Sequence, residues 1–478
     1  MSTKIAMIGA GSIVFCKTLM HDLMATPSLA GCEFALMSRT EPKLRAMEDF
    51  GQRMLRDNGL EGSVWATLDR REAIKDADFV VVMLQVGGVE AFEIDYRIPL
   101  EYGVDQCVGD SLGPGGIFRA LRTVPALVEI ARDMERLAKP GAIMLQYANP
   151  MAANCLALGK ATSVPFVGLC HGVQTTLDLI ARYCGVPKDE IRYVCGGINH
   201  MDWFLKLEHN GRDLYPILRE VFEKPEYYKN EKVRGEVFRH FGYFMTESTG
   251  HLSEYVPWFR KNKQALDLYC DEPSFGGASG AYYTWCKTVA EKYAEQNPLE
   301  RESTLLGRRS VEYCSYIIEA LTANRPFRFM GNVRNDGYIT NLPNGCCVEV
   351  PIWAIQGAGL HPAVVGELPP QCAALCMTNI NSQILAAEAA LQSDTEHIVQ
   401  AVALDPLTGA VCTLAQIREM CSRMLEAQRL WLPGFVGKSI APKPAIVIPP
   451  DCRPVDVPLD PALAIGRRFG ELLKEQTA

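Results

Sequence analysis

The chain has 478 residues, of which 48% are hydrophobic and 22% charged, and this composition is typical of a folded protein with more than one hydrophobic core. The formal net charge of −8 argues against nucleic acid or a membrane surface as a partner, because either would favour a basic patch. The sequence shows no signal peptide and no apolar run near 18 residues, and its 17 cysteines lack framework spacing, so we expect a cytoplasmic protein with reduced cysteines.

The first forty residues predict a dinucleotide-binding turn. Residues 5–8 form a short apolar strand, and Gly9 and Gly11 allow a tight turn close to a pyrophosphate. A helix over about residues 12–24 follows, and its first N–H groups, from Ser12 onward, would face the phosphates. The third position of the glycine fingerprint holds Val14, so the fingerprint is incomplete.

The second strand, residues 32–37, ends at Ser38, where NAD-binding domains usually carry an acidic residue that contacts the adenosine ribose. Ser38 can hydrogen-bond a ribose hydroxyl and Arg39 can pair with a 2′-phosphate, so we expect NAD to bind and NADP to be tolerated. An equal alternative is that Arg39 points to solvent and Glu41 makes the ribose contact. The third strand, residues 78–84, leads into the loop at Gln85, a further candidate contact to the cofactor.

The α/β pattern continues through the first half of the chain. We predict a helical segment at 71–76, a helix ending near residue 102, a glycine-rich break at 112–116 and a long helix over 117–137. Strands at 142–147, 164–169 and 191–194 follow, with a helix to about residue 159 between the first two. This order predicts a doubly wound parallel sheet of the Rossmann type over residues 1–195. Residues 196–478 are expected to form a mixed α+β domain for catalysis, substrate binding and oligomerisation, with an irregular wrapping segment at 442–458.

Polar side chains follow three of the predicted strands. Asn149, the pair Cys170 and His171, and the pair Asn199 and His200 all lie where a nicotinamide ring would arrive. A thiolate and an imidazole from different strands can hold a divalent ion with positions left open for substrate. Taken singly, however, a cysteine or histidine is more often packed in a core than a ligand.

Two further segments carry polar chemistry. Residues 247–255 include Glu247, His251 and Tyr255, which is enough material for proton transfer, although a solvated turn is an equal alternative. Arg334 and Asn335 lie in a polar turn that can bind a sugar or only connect strands.

Taken in order, these motifs resemble those of glycoside hydrolase family four, in particular its α-galactosidase (melibiase) branch. The resemblance spans about residues 4–435 and rests on residues 9–12, 78–82, 113–122, 149–151, 168–172, 197–200, 246–255, 331–337 and 346–350. It implies a Rossmann domain of the lactate/malate dehydrogenase-like superfamily, a tightly bound NAD, a Mn²⁺ ion, a need for a reducing agent, and a homo-oligomer, either dimer or tetramer. This NAD-dependent family is an exception to glycoside hydrolysis by two carboxylates.

The resemblance also implies roles for particular residues. Cys170 and His200 would be the metal ligands, and Asn149 would contact the ring hydroxyls of an α-glycoside. NAD would oxidise C3, a base would remove the C2 proton, the glycosidic oxygen would leave by elimination, and water addition and re-reduction would complete the cycle. The candidate bases are Tyr255, His251 and Glu247, and His171 is the candidate acid for the leaving group.

The predicted substrate is an unphosphorylated α-galactoside, because phosphosugar members carry Cys-Asn or Cys-Asp where this chain has Cys170 and His171. Gly172 and Asp202 depart from the residues expected next to the metal site. An α-glucosidase, an α-glucuronidase or a broad-specificity member therefore stays open. From other classes, the alternatives are an NAD(P)-dependent dehydrogenase and a redox-sensing dinucleotide binder.

Overall fold

A 13-stranded β-sheet runs through the computed structural model, which describes residues 3–453, 455, 460–462, 464–465 and 469–470. Its strand order is β10-β8-β7-β12-β11-β6-β5-β4-β1-β2-β3, with β13 on β12 and β9 on β8. The strands are β1 (Lys4–Ile8), β2 (Glu33–Met37), β3 (Ser63–Thr67), β4 (Phe79–Val82), β5 (Ile143–Gln146), β6 (Phe166–Gly168), β7 (Ile191–Ile198), β8 (Met201–His209), β9 (Arg212–Asp213), β10 (Phe244–Met245), β11 (Phe327–Arg334), β12 (Cys347–Ile355) and β13 (Gly359–Pro362).

The strands β1 to β6 form the parallel half of this sheet. They pair in the order 3-2-1-4-5-6, the order of a Rossmann fold, which confirms the predicted fold class. β1, β4 and β5 are buried along their whole length, as expected for strands covered by helices on both faces. The alternation of side chains sends Ile5 and Met7 into one core and Ala6 and Ile8 into another. The carboxyl ends of these strands therefore lie side by side at one edge.

The antiparallel half continues the same sheet. In the register of neighbouring strands, Gly168 lies opposite Asn332, Asn332 opposite Glu349, Glu349 opposite Gly197 and Gly197 opposite Asp202. These five residues form one row across the sheet, next to the carboxyl end of β6. The edge at which the parallel strands end therefore continues into the antiparallel strands from the second half of the chain.

Helices cover both faces of the sheet. They are α1 (Ile13–Met24), α2 (Glu41–Asp57), α3 (Arg70–Ile74), α4 (Gly88–Glu101), α5 (Gly113–Leu137), α6 (Met151–Ala161), α7 (Gly172–Cys184), α8 (Tyr215–Phe222), α9 (Pro225–Tyr228), α10 (Lys232–Phe241), α11 (Thr249–Tyr255), α12 (Lys263–Tyr269), α13 (Ala281–Glu295), α14 (Cys314–Thr322), α15 (Pro370–Gln392), α16 (Thr395–Leu404), α17 (Pro406–Val411) and α18 (Leu414–Ala427). Within the described residues, no helix is long and apolar enough to cross a membrane.

Some predicted bounds were wrong. Helix α5 begins at Gly113, inside the predicted glycine-rich break, because Gly113 has φ of +65° and Pro114 takes the first helical turn without needing an N–H partner. Strand β7 runs to Ile198, four residues beyond its predicted end, because it pairs with β8 as a hairpin. The sequence also did not predict α2 and β3, which complete one edge of the sheet.

Residues 1–442 form one compact unit and residues 443–478 a second. The predicted domain boundary near residue 195 falls inside β7, and the division into two domains there stays a prediction. Residues 443–449 have no regular secondary structure. Of the predicted wrapping segment 442–458, residues 454 and 456–458 lie outside the described residues.

Candidate active site

The turn after β1 fits a dinucleotide. The N–H groups of Gly9 and Ala10 both donate to the Met37 carbonyl, at 2.9 Å each. Gly9 has φ of +94°, and a Cβ there would lie 2.8 Å from the backbone carbon of Met83. Ser12 precedes α1 and makes no side-chain cap, so the first N–H groups of the helix are available to an anion such as a pyrophosphate.

Ser38 lies against this turn, whereas the other candidate contacts lie at the surface. A Cβ on Gly11 would lie 2.9 Å from Ser38 Oγ, so glycine is needed there for close approach. Arg39 is exposed, and the exposed Gln85 donates its amide to the Gly88 carbonyl at 3.2 Å. Ser38 is thus part of the turn, and contacts from Arg39 and Gln85 to a cofactor stay predictions.

The hairpin between β7 and β8 presents the first residue of a convergent cluster. Ile198 pairs with Met201, so Asn199 and His200 form a two-residue turn. Such turns require positive φ, and His200 has φ of +65°. Backbone strain at a bulky residue is typical of functional sites, and here the turn directs the His200 ring away from the strand ladder.

His200, Glu247 and His251 lie together although they come from distant segments. One ligand atom from each of these three residues lies within 4.8 Å of the other two. His200 Nε2 is 3.9 Å from Glu247 Oε2, and His251 Nδ1 is 3.9 Å from Glu247 Oε1. The two imidazole rings are 4.5 Å apart between centroids, at an angle of 62°. Two imidazoles around one carboxylate are a donor set suited to a transition-metal ion.

Burial and neighbouring charges favour the protonation states in which His200 and Glu247 can bind a metal ion. Burial lowers the pKa of His200 more than Glu247 raises it, so this imidazole is neutral at neutral pH. Burial raises the pKa of Glu247, but the neighbouring imidazoles of His200 and His251 and the backbone N–H of Ser248 outweigh burial and hold that pKa below its ordinary value. His251 Nε2 is buried and has no hydrogen-bond partner among the described residues. Two imidazoles and one carboxylate are the donor types that a divalent transition metal takes, so the residues present fit such an ion.

Tyr255 lies next to this cluster at the end of α11. Its hydroxyl is 3.0 Å from His200 Nδ1. Burial, followed by the charges of Glu247 and Asp110, raises the pKa of Tyr255 well above its ordinary value. The hydroxyl is therefore protonated unless a positive charge lies near it.

Asp110 connects the cluster with one of the predicted substrate contacts. Its Oδ2 accepts from Asn149 Nδ2 at 2.9 Å, and its Oδ1 accepts from Ser111 Oγ at 2.7 Å. Burial raises the pKa of Asp110, but Arg119 and His251 outweigh burial, so Asp110 is ionised. Asp110 and Asn149 together offer an acceptor and a donor to a sugar hydroxyl.

Buried acids hold the loop that carries Asp110. The Glu254 carboxylate accepts from the backbone N–H groups of Val108 and Gly109, the latter at 3.0 Å. Asp405 accepts from the N–H of Gly113 at 3.1 Å. Burial raises the pKa of Glu254 to about 7 and that of Asp405 to about 6.

Cys170 and His171 follow β6, as predicted, but they lie outside the group of three. Burial, Glu349 and Glu247 raise the pKa of Cys170 well above its ordinary value, so the thiol is protonated without a nearby cation. His171 Nδ1 is 3.3 Å from Glu312 Oε1, and this contact raises the pKa of His171. The role of Cys170 as a ligand stays a prediction, and His171 has the protonation that a general acid requires.

Glu349, in the row of residues across the sheet, hydrogen-bonds to the hairpin turn that carries His200. Glu349 Oε2 accepts from Asn332 Nδ2 at 3.0 Å and from Asn199 Nδ2 at 3.2 Å. Burial and then Glu349 raise the pKa of Asp202 well above its ordinary value, so this acid is protonated beside Glu349. Asn199 therefore has a partner inside the sheet, and we retain a contact from Asn199 to the substrate only as a prediction from the sequence.

Two other predicted substrate contacts lie away from the cluster. Because Asn332 pairs with Gly168 on an antiparallel strand, Arg334 lies two residues farther from the strand ends that carry the site. Its side chain is exposed and lies 3.4 Å from Asp336. Asn335 is buried, and its amide donates to the carbonyls of Ile339 and two later residues of the same loop. The structure thus does not bring Arg334 and Asn335 to the cluster, and their contacts to substrate stay predictions.

Several acids of the site were missed by reading the sequence. Asp110 precedes a glycine-rich break and Glu349 is a single acid in an apolar strand, and both are signals that predict function. Glu254 lies in the segment 247–255 that the sequence already predicts to supply acids for proton transfer, but only the fold shows that it holds the Asp110 loop. Glu312 gave no signal in the sequence.

Comparison with known proteins places these residues in a family. A family model described as family 4 glycosyl hydrolase matches residues 4–186, and the model of the C-terminal domain of that family matches residues 195–408. An α-galactosidase of Rhizobium meliloti (strain 1021) is 40% identical over 446 residues, which are 91% of this chain and 90% of that protein. An α-galactosidase of Bacillus subtilis (strain 168) is 39% identical over 441 residues, 90% of this chain and 99% of that protein.

Solved structures share the fold. The crystal structure of a glucosidase from Bacillus subtilis has a TM-score of 0.77 at 26% identity and covers 89% of this chain and 100% of its own. A 6-phospho-β-glucosidase from Thermotoga maritima, solved with manganese, NAD⁺ and glucose-6-phosphate, has a TM-score of 0.73 at 21% identity, with 90% of this chain and 99% of its own covered.

Proposed function

Because the chain belongs to family 4 of the glycosyl hydrolases, we propose that it hydrolyses unphosphorylated α-galactosides with NAD and Mn²⁺ as cofactors. The identity of about two residues in five with two α-galactosidases, over nine-tenths of the chain, is the observation that carries this proposal. Solved relatives contain NAD and Mn²⁺, and the glycine turn and the His200, Glu247 and His251 cluster are the parts of this chain that would hold them.

An uncharged sugar suits the electrostatics around the cluster. Asp110 is buried and Glu247 is partly buried, and both have pKa values below their ordinary values, so they are anionic. A sugar phosphate beside these two carboxylates would be repelled, whereas sugar hydroxyls can donate to them. This supports an unphosphorylated substrate.

When bound, NAD accepts and returns a hydride at C3, and Mn²⁺ supplies positive charge that lowers the pKa of neighbouring hydroxyl groups. Tyr255 would then remove the C2 proton, since its hydroxyl lies beside His200 at the cluster. His171, kept protonated by Glu312, would give a proton to the departing glycosidic oxygen. Asp110 and Asn149 would orient the sugar ring through its hydroxyls.

The proposal is tested with a panel of aryl α-glycosides supplied with NAD, Mn²⁺ and a thiol reductant. We expect kcat/KM for the α-galactoside to exceed that for the α-glucoside and α-glucuronide by at least about tenfold, or roughly 1.4 kcal/mol. Omission of NAD, or addition of EDTA in metal-free buffer, should remove the activity. A preference for another glycone would contradict the galactosidase proposal, and activity that survives EDTA would contradict the metal requirement.

We also propose a cytoplasmic location and a homo-oligomeric state. The seventeen free cysteines suit a reducing compartment. The oligomeric state is measured by light scattering of the purified protein, where a dimer or tetramer is expected and a monomer would contradict the proposal.

A further inference from the structure

A buried guanidinium, that of Arg119, lies next to Asp110. Arg119 is 5% exposed, and its Nη1 is 3.8 Å from Asp110 Oδ2, too far for a hydrogen bond. Its Nε and Nη1 atoms have no hydrogen-bond partner among the described residues. Buried N–H donors without partners are costly, so a polar ligand that accepts from them would stabilise this arrangement.

Aromatic rings continue from Arg119 to the surface. The Phe92 ring lies 5.5 Å from the guanidinium and 5.5 Å from the Tyr282 ring. Tyr282 and Trp285 stack with centroids 5.9 Å apart and an angle of 17° between planes. Trp285 is 44% exposed although tryptophan is usually covered, and the half-exposed Phe275 lies 6.1 Å from Tyr282.

The start of α13 is fixed to the loop that carries Asp110. The N–H of Gly280 donates to the Gln106 carbonyl at 2.8 Å, and the N–H of Tyr282 donates to the Cys107 carbonyl at 3.1 Å. Because both contacts lie within four residues of Asp110, the aromatic rings keep a defined position relative to the site. Neighbouring side chains thus lead from Asp110 to the exposed Trp285, in the order Asp110, Arg119, Phe92, Tyr282 and Trp285.

We propose that Arg119, Tyr282 and Trp285 form the subsite for the leaving group of the α-galactoside, and that this group is a second sugar ring. A sugar ring has apolar C–H faces that pack on aromatic rings and hydroxyl oxygens that accept from a guanidinium. Asp110 balances the charge of Arg119 at 3.8 Å, so an uncharged sugar suits the path better than an acidic one. This inference rests on the proposed function, since it needs a galactoside at the cluster.

The test compares two substrates in the holoenzyme with NAD and Mn²⁺. An α-1,6-linked galactosyl-glucose disaccharide places a sugar in the subsite, whereas α-galactosyl fluoride leaves it empty. For Trp285→Ala we expect the ratio of kcat/KM for the disaccharide to kcat/KM for the fluoride to fall about tenfold. Trp285→Phe, which keeps a ring, should restore most of the ratio. Trp353→Ala removes an equally exposed tryptophan, 42% against 44%, from β12 and should leave the ratio unchanged.

Each outcome separates the subsite from the proposed function. A wild-type enzyme that hydrolyses both substrates, together with an unchanged ratio for Trp285→Ala, would overturn the subsite alone. A wild-type enzyme that hydrolyses neither substrate would overturn the proposed function and the subsite with it. A change in molar mass of Trp285→Ala by light scattering would show that the exposed rings bind a second copy of the chain, and would also overturn the subsite.

Discussion

The nucleotide end and the sugar end of the site differ in the groups that they use, which are backbone groups at the first and side chains at the second. At the nucleotide end, Gly9 and Gly11 provide backbone N–H groups and close approach, and the side chains contribute little. At the sugar end, His200, Glu247 and His251 provide the chemistry through buried side chains from distant segments. A backbone site should therefore tolerate the loss of side chains and fail when a Cβ is added, whereas a side-chain site should show the opposite behaviour.

The largest effect is expected at the sugar end. His251→Ala removes one of the two imidazoles of the three-residue cluster, so Mn²⁺ affinity and kcat should each fall at least about 100-fold. NAD affinity should change little. Calorimetric titration with Mn²⁺ and separately with NAD measures both effects.

Ser12→Ala is the matched variant at the nucleotide end, and we expect it to change NAD affinity by less than about threefold, because Ser12 makes no side-chain cap. Normal Mn²⁺ binding by His251→Ala would show that His251 is not a metal ligand. It would also contradict the contrast between a backbone site for the nucleotide and a side-chain site for the sugar.

Adding a side-chain atom, instead of removing one, tests the nucleotide end of the site. Gly9→Ala adds a Cβ 2.8 Å from the Met83 backbone at φ of +94°, so NAD affinity should fall about tenfold or more and stability by about 1–3 kcal/mol. Binding of Mn²⁺ should persist. NAD titration and thermal unfolding are the measurements.

Gly59→Ala separates steric clash from backbone strain. Gly59 also has positive φ, +64°, but a Cβ there meets nothing within 4 Å. It should lower stability and leave NAD affinity intact. Equal losses of NAD affinity in both variants would contradict a steric role for Gly9.

The same contrast explains what could be predicted from the sequence. The turn at Gly9 is local, so a few consecutive residues specify it, and the parallel strands were found from their apolar runs. At the sugar end, the register between distant strands decides which residues lie together. Arg334 looked equivalent to other polar turn residues, and only the pairing of Asn332 with Gly168 shows that it lies toward the other end of the sheet.

Long-range contacts explain the remaining omissions. The role of Glu254 in holding the Asp110 loop could not be predicted, because its partners, Val108 and Gly109, lie 146 and 145 residues away. The cluster of His200 with Glu247 and His251 likewise joins a hairpin turn to a later helix, so no spacing in the sequence indicates it.

A pH-dependent effect on stability concerns the acid that holds the Asp110 loop. The pKa of Glu254 is about 7 against an ordinary 4.5, so folding favours the protonated form. The stability that this group contributes is fully present below pH 4.5 and is lost as the pH rises through about 7.

Relative to Glu254→Gln, the wild type should therefore lose about 3 kcal/mol of unfolding free energy between about pH 4 and pH 8. Denaturant unfolding at several pH values measures it, with the exposed Glu61→Gln as control. A difference that grows as the pH rises would have the wrong sign for a buried acid.

The smallest effect lies at the adenosine end of the turn. Ser38 lies beside Gly11 and the exposed Arg39 follows it, with no acid at this position. We expect the dissociation constants for NAD and NADP to differ by less than about tenfold, and Arg39→Ala to weaken NADP alone. A hundredfold preference for NAD that Arg39→Ala leaves unchanged would show that Arg39 does not reach the 2′-phosphate.

The most direct measurement is hydrogen exchange at C2 of the sugar. Hydrolysis of an aryl α-galactoside in D₂O should give galactose with deuterium at C2, because Tyr255 removes that proton before the leaving group departs. Tyr255→Phe should lower the rate of hydrolysis and of deuterium incorporation together. Galactose released by the wild type with only hydrogen at C2 would contradict elimination, and with it the role of the buried cluster beside Tyr255.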